Sequence, residues 1–365
     1  MGYFDIPVQT DLSLADAGTQ DETTSRIDPV ARIAGWVVAR TTLTRPEVMG
    51  ARRRRLSRRL PTPHNRLTQG LLGAAAEQVT AEDRWVAVDG GSITVRVYRP
   101  GTAGRTESLP LVVYFHGGGW VIGSIGMADG LCSRIARALP AVVVSVDYRL
   151  SPEFPFPVPL DDSLAATEWT VRHADEFGAD SDRLGVAGDS AGGTLATEVA
   201  ATRRSESSGR VIHQSLIYPV TDLTLSSDSM TRFGSAPFLT ASDMRGYRRL
   251  YLAGQDPRNP RVSPLFIDDL AGMPPTVIHT AAADPLRDDG ERYARRLADA
   301  GVAVAYDCVP GTAHGFSTFP GLYREAARAE KKLLLHMSAH LCVTRDRTAR
   351  IPPAHPSSAD RGQQP

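Results

Sequence analysis

The sequence contains few cysteines, almost no lysine and no excess charge of either sign. The three cysteines, Cys132, Cys308 and Cys342, are odd in number and widely spaced, so they match neither a disulfide framework nor a paired-cysteine zinc site. We expect them to be small buried apolar residues. The 41 basic residues, of which only Lys331 and Lys332 are lysines, balance 41 acidic ones. Because no net field attracts nucleic acid or an acidic membrane, a small-molecule partner is favoured.

Long apolar runs are also missing. The sequence has no stretch of 18 or more apolar residues that could cross a membrane as a helix. The first 25 residues carry acidic side chains where a secretory signal would place a basic region and then an apolar one. We therefore expect a cytoplasmic protein without a membrane span.

The two ends of the chain differ in composition from its middle. Residues 343–365 mix proline, serine and charge with very little apolar content, which predicts a disordered tail. The densest basic run, "RRRRLSRR", occupies residues 52–59. It could be a patch for nucleic acid or anionic lipid, or a solvated helix surface paired with the acidic amino terminus. The zero net charge and the lack of interleaved aromatic residues favour the second interpretation, without a nucleic-acid partner.

From residue 83 onwards, short apolar runs alternate with longer amphipathic segments. The candidate strands are 84–88, 92–98, 111–115, 141–146, 184–187, 212–217, 276–280 and 302–308. The candidate helices are 127–138, 160–173, 191–202, 288–300 and 321–341. The sequence "DGG" at 89–91 predicts a hairpin between the first two strands. The later alternation favours an α/β fold, with a mostly parallel eight-stranded sheet covered by helices on both faces.

One long interval interrupts this alternation. Residues 218–275 contain turn-rich and helical pieces but no candidate strand, and a segment of that length inside a compact domain is usually an active-site cover. With roughly residues 1–75 it is expected to form a helical lid over the carboxyl edge of the sheet, where open α/β sheets bind ligands. The predicted divisions are an N-terminal cap region at 1–80, a catalytic domain at 81–342 with a cap insertion at about 222–262, and the tail.

The stretch "LGVAGDSAGG", residues 184–193, places a serine between two glycines. Gly188 and Gly192 allow a sharp turn and a close approach of neighbouring elements around Ser190. This G-x-S-x-G pattern is typical of a nucleophile elbow, which needs a strand before it and a helix after it. The apolar run before it and the alanine-rich, proline-free segment after it fit both needs. A plain turn between a strand and a helix remains the alternative.

A serine nucleophile requires a base and an acid that orients the base. Asp284 lies just past the apolar run at 276–282, as such an acid should. Asp288 and Asp289 are competitors, but they are better explained as the acidic first turn of the next helix, where the macrodipole favours negative charge.

The base is expected in a loop after the last strand. Of nine histidines, His314 follows the final candidate strand and lies between glycines, which completes the chain order serine, acid, histidine of an α/β-hydrolase. His279 lies within a candidate strand, and His336 and His340 lie on the last candidate helix. We expect structural roles for these three.

An attacked carbonyl oxygen also needs N–H donors that already point at it. One is available at Ala191, where the helix after the serine begins. The stretch "YFHGGGW", residues 114–120, follows a candidate strand with three consecutive glycines, so its backbone N–H groups can approach a substrate without side chains in the way. Taken alone, such a triplet would be an ordinary loop.

Together these motifs resemble those of the hormone-sensitive lipase family of α/β-hydrolase esterases, also called bacterial family IV. The resemblance covers about residues 83–342. A further stretch, "YRLSPEFPFP", is similar to the family's Tyr-Arg-Leu-Ala-Pro-Glu segment, with Ser151 in place of alanine. The matching motifs are HGGGW at 116–120, GDSAGG at 188–193, DPLRDDG at 284–290 and HGF at 314–316.

The resemblance implies a function and a set of site residues. It implies a serine carboxylesterase with a helical cap, without a metal or organic cofactor, acting on small esters of short to medium acyl chain, and as a possible homodimer. The implied triad is Ser190 as nucleophile, Asp284 as orienting acid and His314 as base. The implied oxyanion hole is Gly118, Gly119 and Ala191, with His116 and Gly117 shaping the loop and His116 supporting it by hydrogen bonds.

Two alternatives stay open on the same fold. The machinery could serve a deacetylase or amidase acting on a specific metabolite. The chain could also be a non-catalytic small-molecule receptor, although such relatives typically lose the histidine that is present here. Aromatic residues that could line an acyl or alcohol pocket, or simply belong to the core, are Trp120, Phe154, Phe156, Phe233, Phe238 and Phe316.

Overall fold

A computed structural model describes residues 27–40, 65–101 and 108–342. The arginine run at 52–59, the first 26 residues and the predicted tail at 343–365 lie outside these ranges. The expectations for those segments therefore stay predictions.

Eight strands form one sheet in the order β1-β2-β4-β3-β5-β6-β7-β8. The strand β2 pairs antiparallel with both β1 and β4, and every other neighbouring pair is parallel. The predicted mostly parallel eight-stranded sheet is thus confirmed. The strands are β1 (Val79–Val88), β2 (Gly91–Pro100), β3 (Leu109–Phe115), β4 (Val142–Asp147), β5 (Ala179–Asp189), β6 (Val211–Ile217), β7 (Thr276–Ala283) and β8 (Val304–Ala313).

Nine α-helices are present in the described part of the chain, and three short 3₁₀ turns accompany them at residues 174–177, 264–266 and 320–322. The helices are α1 (Pro29–Arg40), α2 (Arg66–Leu72), α3 (Ile125–Ala138), α4 (Val158–Arg172), α5 (Ala191–Arg203), α6 (Asp228–Arg232), α7 (Ala241–Leu252), α8 (Arg287–Asp299) and α9 (Ala326–Leu341).

The central strands are buried on both faces, which explains their continuous apolar sequences. All seven residues of β3 are buried, and alternate side chains enter different apolar clusters. Val113 and Phe115 belong to one cluster, whereas Val112 and Tyr114 belong to the other. This period of two is the pleat of a strand with a core on each side. The edge strand β1, by contrast, exposes most of its residues.

Helix α1 packs against the later insertion, and α2 packs against the 3₁₀ turn at 320–322. A Cβ at Gly35 of α1 would lie 2.2 Å from the Pro237 side chain. A Cβ at Gly321 would lie 1.8 Å from the Gly70 carbonyl oxygen of α2. The two predicted cap segments therefore approach the same end of the molecule, and the division into cap and catalytic domains stays a prediction. Across residues 27–40, 65–101 and 108–342, no helix combines the length and apolarity that a membrane crossing requires.

Candidate active site

Ser190 lies at the sharp turn between β5 and α5. Its backbone has φ 54° and ψ −121°, a conformation that costs about 1–3 kcal/mol for a residue with a side chain. Three backbone hydrogen bonds hold it: the Ser190 N–H donates to Ile217 O at 2.8 Å, and Ser190 O accepts the Gly193 N–H at 2.9 Å and the Val220 N–H at 3.3 Å. The strained turn therefore lifts the hydroxyl above the carboxyl end of the sheet.

The two glycines that flank this turn are required by close approach. A Cβ at Gly188 would lie 2.2 Å from Gly192 O, and a Cβ at Gly192 would lie 1.9 Å from Phe115 O. Both distances are far shorter than any real carbon–oxygen contact. Only glycine at these positions lets α5 begin directly against β3 and β5.

His314 and Asp284 reach the serine from the ends of two neighbouring strands. His314 follows β8 and Asp284 follows β7. His314 Nε2 lies 2.9 Å from Ser190 Oγ, and His314 Nδ1 lies 2.7 Å from Asp284 Oδ2. Because a carboxylate oxygen only accepts, the proton belongs on Nδ1, and Nε2 is then free to accept the hydroxyl proton of the serine. The structure thus brings together the three residues singled out in the sequence.

The surroundings fix the acid and the imidazole in place. Asp284 is fully buried, and its other oxygen, Oδ1, accepts the Leu286 N–H at 2.9 Å. The Tyr218 ring lies against the imidazole of His314, with centroids 4.6 Å apart. The carboxylate therefore has one oxygen committed to the loop that carries it and one committed to the histidine.

The competing acids lie elsewhere. Asp288 accepts the Ser229 N–H at 2.8 Å in the first turn of α8. Asp289 is fully buried beside Asp222, whose N–H it accepts at 3.3 Å. Neither carboxylate contacts the Ser190 and His314 pair, in agreement with their predicted structural roles.

The three histidines expected to have structural roles, His279, His336 and His340, lie apart from the site. His279 is buried in β7, where burial lowers its pKa to about 4. His340 on α9 stacks on His213 of β6, with centroids 5.1 Å apart, and burial lowers the pKa of both rings and of His336. These residues belong to the packing between α9 and the sheet.

The loop after β3, residues 116–123, is called here the glycine loop. Gly118 and Gly119 have φ +114° and +60°, the left-handed region that favours glycine. Within the described ranges, no hydrogen-bond acceptor is found for the backbone N–H groups of Gly118, Gly119 or Ala191. Ala191 supplies the first N–H of α5, next to the serine hydroxyl. The arrangement leaves three donors free for a substrate oxygen.

Asp189, which the sequence reasoning gave no role, fastens the first half of the glycine loop. Its Oδ1 accepts both the Tyr114 hydroxyl at 2.7 Å and the Gly117 N–H at 2.9 Å. A Cβ at Gly117 would lie 2.4 Å from its Oδ2, and Thr318 Oγ1 donates to the same oxygen at 3.4 Å. Burial raises the pKa of Asp189, while the hydrogen bond from Tyr114 opposes that rise. The only available signal was its place beside the serine.

His116 supports the same loop, as the resemblance implied. Its Nδ1 donates to Gly117 O at 2.8 Å, and its ring stacks on Tyr148 with centroids 4.4 Å apart. The Tyr148 hydroxyl in turn donates to His116 O at 2.6 Å. These contacts add to those of Asp189 in fixing the start of the loop.

A cavity of about 410 Å³ opens onto Ser190 and His314. Of the six aromatic residues considered from sequence as pocket lining or as core, Trp120 and Phe238 line the cavity, whereas Phe154, Phe156, Phe233 and Phe316 do not. A sequence does not tell which way a loop side chain points, and Phe316 packs instead edge-on against Tyr218, with centroids 5.2 Å apart. Lining residues that sequence reasoning missed include Ala34, Leu71, Met244, Tyr247, Phe319 and Leu322.

No metal-binding group is found in the described parts of the chain: no three or more histidine, cysteine or acidic side chains are placed to hold an ion. The cysteines are free thiols, of which Cys132 is buried and Cys308 and Cys342 are partly buried. The reactive groups near the cavity are therefore the hydroxyl, imidazole and carboxylate described above, with the backbone N–H groups beside them.

Comparisons with known proteins show which family this chain belongs to. A family model for the alpha/beta hydrolase fold matches residues 112–318. Esterase LipI of Mycobacterium tuberculosis is 40% identical over 68% of this chain and 79% of its own length. The ethyl acetate hydrolase of Pseudomonas putida is 37% identical over 69% of this chain and 80% of its own. A hyperthermophilic esterase from the archaeon Pyrobaculum calidifontis superimposes with a TM-score of 0.75 at 34% identity, covering 86% of this chain and 98% of that one.

Proposed function

Because this chain belongs to the alpha/beta hydrolases, in their hormone-sensitive lipase-like branch, and is a carboxylic ester hydrolase, we propose that it works as a serine carboxylesterase on small esters. The observation that carries the proposal is the continuous hydrogen-bonded line from Ser190 Oγ through His314 to Asp284 Oδ2. A receptor that only bound its ligand would have no need for a hydroxyl aligned with a base.

In the first half of the reaction, Ser190 Oγ forms a bond to the ester carbonyl carbon while His314 Nε2 takes its proton. The negative charge that collects on the carbonyl oxygen is met by the N–H groups of Gly118, Gly119 and Ala191. Asp284 holds the imidazole in the required tautomer and stabilises the imidazolium. When the carbon–oxygen bond to the alcohol breaks, Nε2 returns the proton to the departing oxygen, which leaves an acyl-enzyme.

In the second half, water replaces the alcohol. His314 takes a proton from the water as its oxygen bonds to the acyl carbon, and the same three N–H groups stabilise the second oxyanion. Breaking the bond to Oγ releases the carboxylic acid, and the proton on Nε2 returns to Ser190. The hydroxyl, imidazole and carboxylate end as they began, so one water molecule is consumed for each ester.

The cavity favours esters of short to medium acyl chain. Its volume of about 410 Å³ is near the lower end of the range of about 300–1,000 Å³ for small-molecule sites. Its walls carry apolar side chains from both predicted cap segments, such as Leu71 and Phe238. An apolar space of this size suits hydrocarbon chains that fit inside it better than long chains at a lipid surface.

The test is hydrolysis of p-nitrophenyl esters from acetate to palmitate, with the corresponding anilides in parallel. We expect turnover that peaks at short or medium chain, little turnover of the anilides, and loss of activity in Ser190→Ala. A wild type no faster than Ser190→Ala on every ester and anilide contradicts the proposal. Turnover of the anilides above the esters would instead support the amidase alternative.

A cytoplasmic location and a homodimer remain predictions from sequence. Light scattering on the purified chain checks the second, because a dimer would give about twice the 39.3 kDa chain mass. A mass of one chain would remove the dimer from the description.

A further inference from the structure

Helix α7, which lies within the predicted cap insertion, packs directly on the second half of the glycine loop. The Tyr247 ring fills the space beside Gly119, where a Cβ would lie 2.3 Å from ring carbon Cδ1. One turn further along α7, the Tyr251 ring stacks on the Trp120 indole, with centroids 4.1 Å apart and planes 5° from parallel. Two tyrosines spaced four residues apart therefore contact two consecutive residues of the loop.

This half of the loop has a backbone conformation that needs external support. Trp120 has φ +59°, which costs about 1–3 kcal/mol for a residue with a side chain and persists only where the surroundings impose it. Its indole is fully buried, and its carbonyl accepts the Ser151 N–H at 2.8 Å. The first half of the loop is fastened by Asp189 and Tyr148, whereas the ring contacts of the second half come from α7.

The contact is made by ring faces and not by polar atoms. In the part of the chain that the structure describes, neither the Tyr251 hydroxyl nor Trp120 Nε1 has a hydrogen-bond partner. The main chain fixes the end of α7 instead, because the Phe156 N–H donates to Tyr251 O at 2.9 Å. Phenylalanine at position 251 would keep the stacking surface, and leucine would remove it.

We propose that Tyr247 and Tyr251 are positioning residues that hold the Gly119 N–H where it meets the developing oxyanion. The cap insertion is then part of the catalytic geometry as well as a cover over the cavity. This inference rests on the proposed function, because the oxyanion forms only when Ser190 attacks an ester. On this proposal, the ends of the strands determine the positions of the triad residues, whereas a helix outside the sheet determines the position of one oxyanion donor.

The first experiment measures p-nitrophenyl ester hydrolysis by Tyr251→Leu, Tyr251→Phe and Tyr247→Leu. A displacement of about 1 Å at a reacting group can cost about 100-fold in rate. We expect kcat to fall about 10- to 100-fold in both leucine variants and to recover in Tyr251→Phe. KM for p-nitrophenyl acetate should stay within about threefold of wild type in Tyr251→Leu, because Tyr251, unlike Tyr247, does not line the cavity. The matched control is Tyr293→Leu on α8, because Tyr293 is also fully buried with an unpartnered hydroxyl but does not line the cavity.

The second readout is the rate ratio between O-(4-nitrophenyl) thionoacetate and p-nitrophenyl acetate. A thiono sulfur accepts N–H hydrogen bonds weakly, so a well-placed oxyanion site prefers the oxygen ester strongly. Displacing the Gly119 N–H lowers this preference. A variant that merely contains less folded enzyme loses both rates together and keeps the ratio. We expect a lower preference in Tyr251→Leu and an unchanged one in Tyr293→Leu.

The outcomes separate this inference from the proposed function. An active wild type with the same kcat and the same thiono preference in Tyr251→Leu would overturn the positioning role and leave the esterase intact. If the wild type hydrolyses no ester, the proposed esterase function is rejected. Amide hydrogen exchange still tests whether Tyr251 holds the glycine loop in place. Val121 and Ile122, whose N–H groups donate to Gly118 O, should then exchange at least tenfold faster in Tyr251→Leu than in Tyr293→Leu. Equal exchange in the two variants would show that Tyr251 does not hold the loop in place.

Discussion

Replacing Asp189 by alanine is the most informative single change near the serine. The substitution leaves Ser190, His314 and Asp284 in place, but it removes the acceptor of the Tyr114 hydroxyl and of the Gly117 N–H. Both donors lie in a closely packed region, and methyl replaces the carboxylate that they share. The change should therefore affect folding through the buried donors and catalysis through the glycine loop.

The magnitude follows from those two donors. A buried polar group that loses its partner costs about 1–3 kcal/mol, so two such groups together cost about 2–6 kcal/mol of unfolding free energy. On the catalytic side, losing one oxyanion donor lowers kcat about 10²- to 10³-fold. Since Asp189 holds Gly117, the neighbour of Gly118, we expect a kcat in Asp189→Ala at least about 30-fold below wild type.

The assay combines urea denaturation with p-nitrophenyl acetate kinetics on the same preparations. Asp182→Ala is the matched control, because Asp182 lies on the same strand with an exposed side chain; it should change neither quantity measurably. Asp189→Asn, which keeps an acceptor oxygen, should lie between wild type and Asp189→Ala. An Asp189→Ala enzyme within threefold of the wild-type kcat would show that the carboxylate does not hold the loop.

Three further predictions concern stability. His213 and His279 are buried, with pKa values of about 3 and about 4. Below pH 6.5 the unfolded chain therefore binds more protons than the folded one, and each histidine should lower the unfolding free energy by roughly 2 kcal/mol at pH 5. Equal urea midpoints at pH 7 and pH 5 would contradict this. Burial raises the pKa of Glu198 to about 8, so stability is lost as pH rises towards and through that value, and Glu198→Gln should melt higher than wild type at pH 9; an unchanged melting temperature counts against it. Gly192→Ala should prevent folding, because its Cβ would lie 1.9 Å from a backbone carbonyl oxygen. Gly70→Ala, at a helical position with open space around it, should instead stabilise the folded protein by about 0.5–1 kcal/mol. Circular dichroism melting curves compare the two variants with wild type.

Local patterns predicted the parts of the site that local geometry creates. The elbow around Ser190 could be found because a strained turn and a close approach both demand glycine, and these demands appear directly in the letters at 188–193. The positions of Asp284 and His314 follow from chain order once the strands are placed, because parallel strands end at one edge of the sheet. Three residues far apart in sequence therefore met within hydrogen-bonding distance, as expected.

Features that depend on distant contacts were not visible in the sequence. Asp189 acts on a loop 72 residues earlier, so no spacing pattern reports it. The strand β1 begins at Val79, five residues before the expected start, because its exposed residues pair with β2 along their whole length and show little apolar alternation. The strand β5 likewise begins at Ala179, before the expected start at residue 184. Its first residues are mostly polar, and its pairing with β3 has a register shift there. The sequence also could not decide which of the six aromatic residues line the cavity and which belong to the core, because side-chain direction depends on packing.

The two roles of α7, as a wall of the cavity and as a support of the glycine loop, bear on any attempt to recombine this enzyme with its relatives. Exchanging the segment around residues 222–262 would be the obvious way to change which esters fit, since it supplies walls such as Met244 and Tyr247. A graft of that kind also removes the rings that rest on Gly119 and Trp120. A working chimera must therefore carry two aromatic rings four residues apart on the incoming helix, or import the donor's own glycine loop together with its cap.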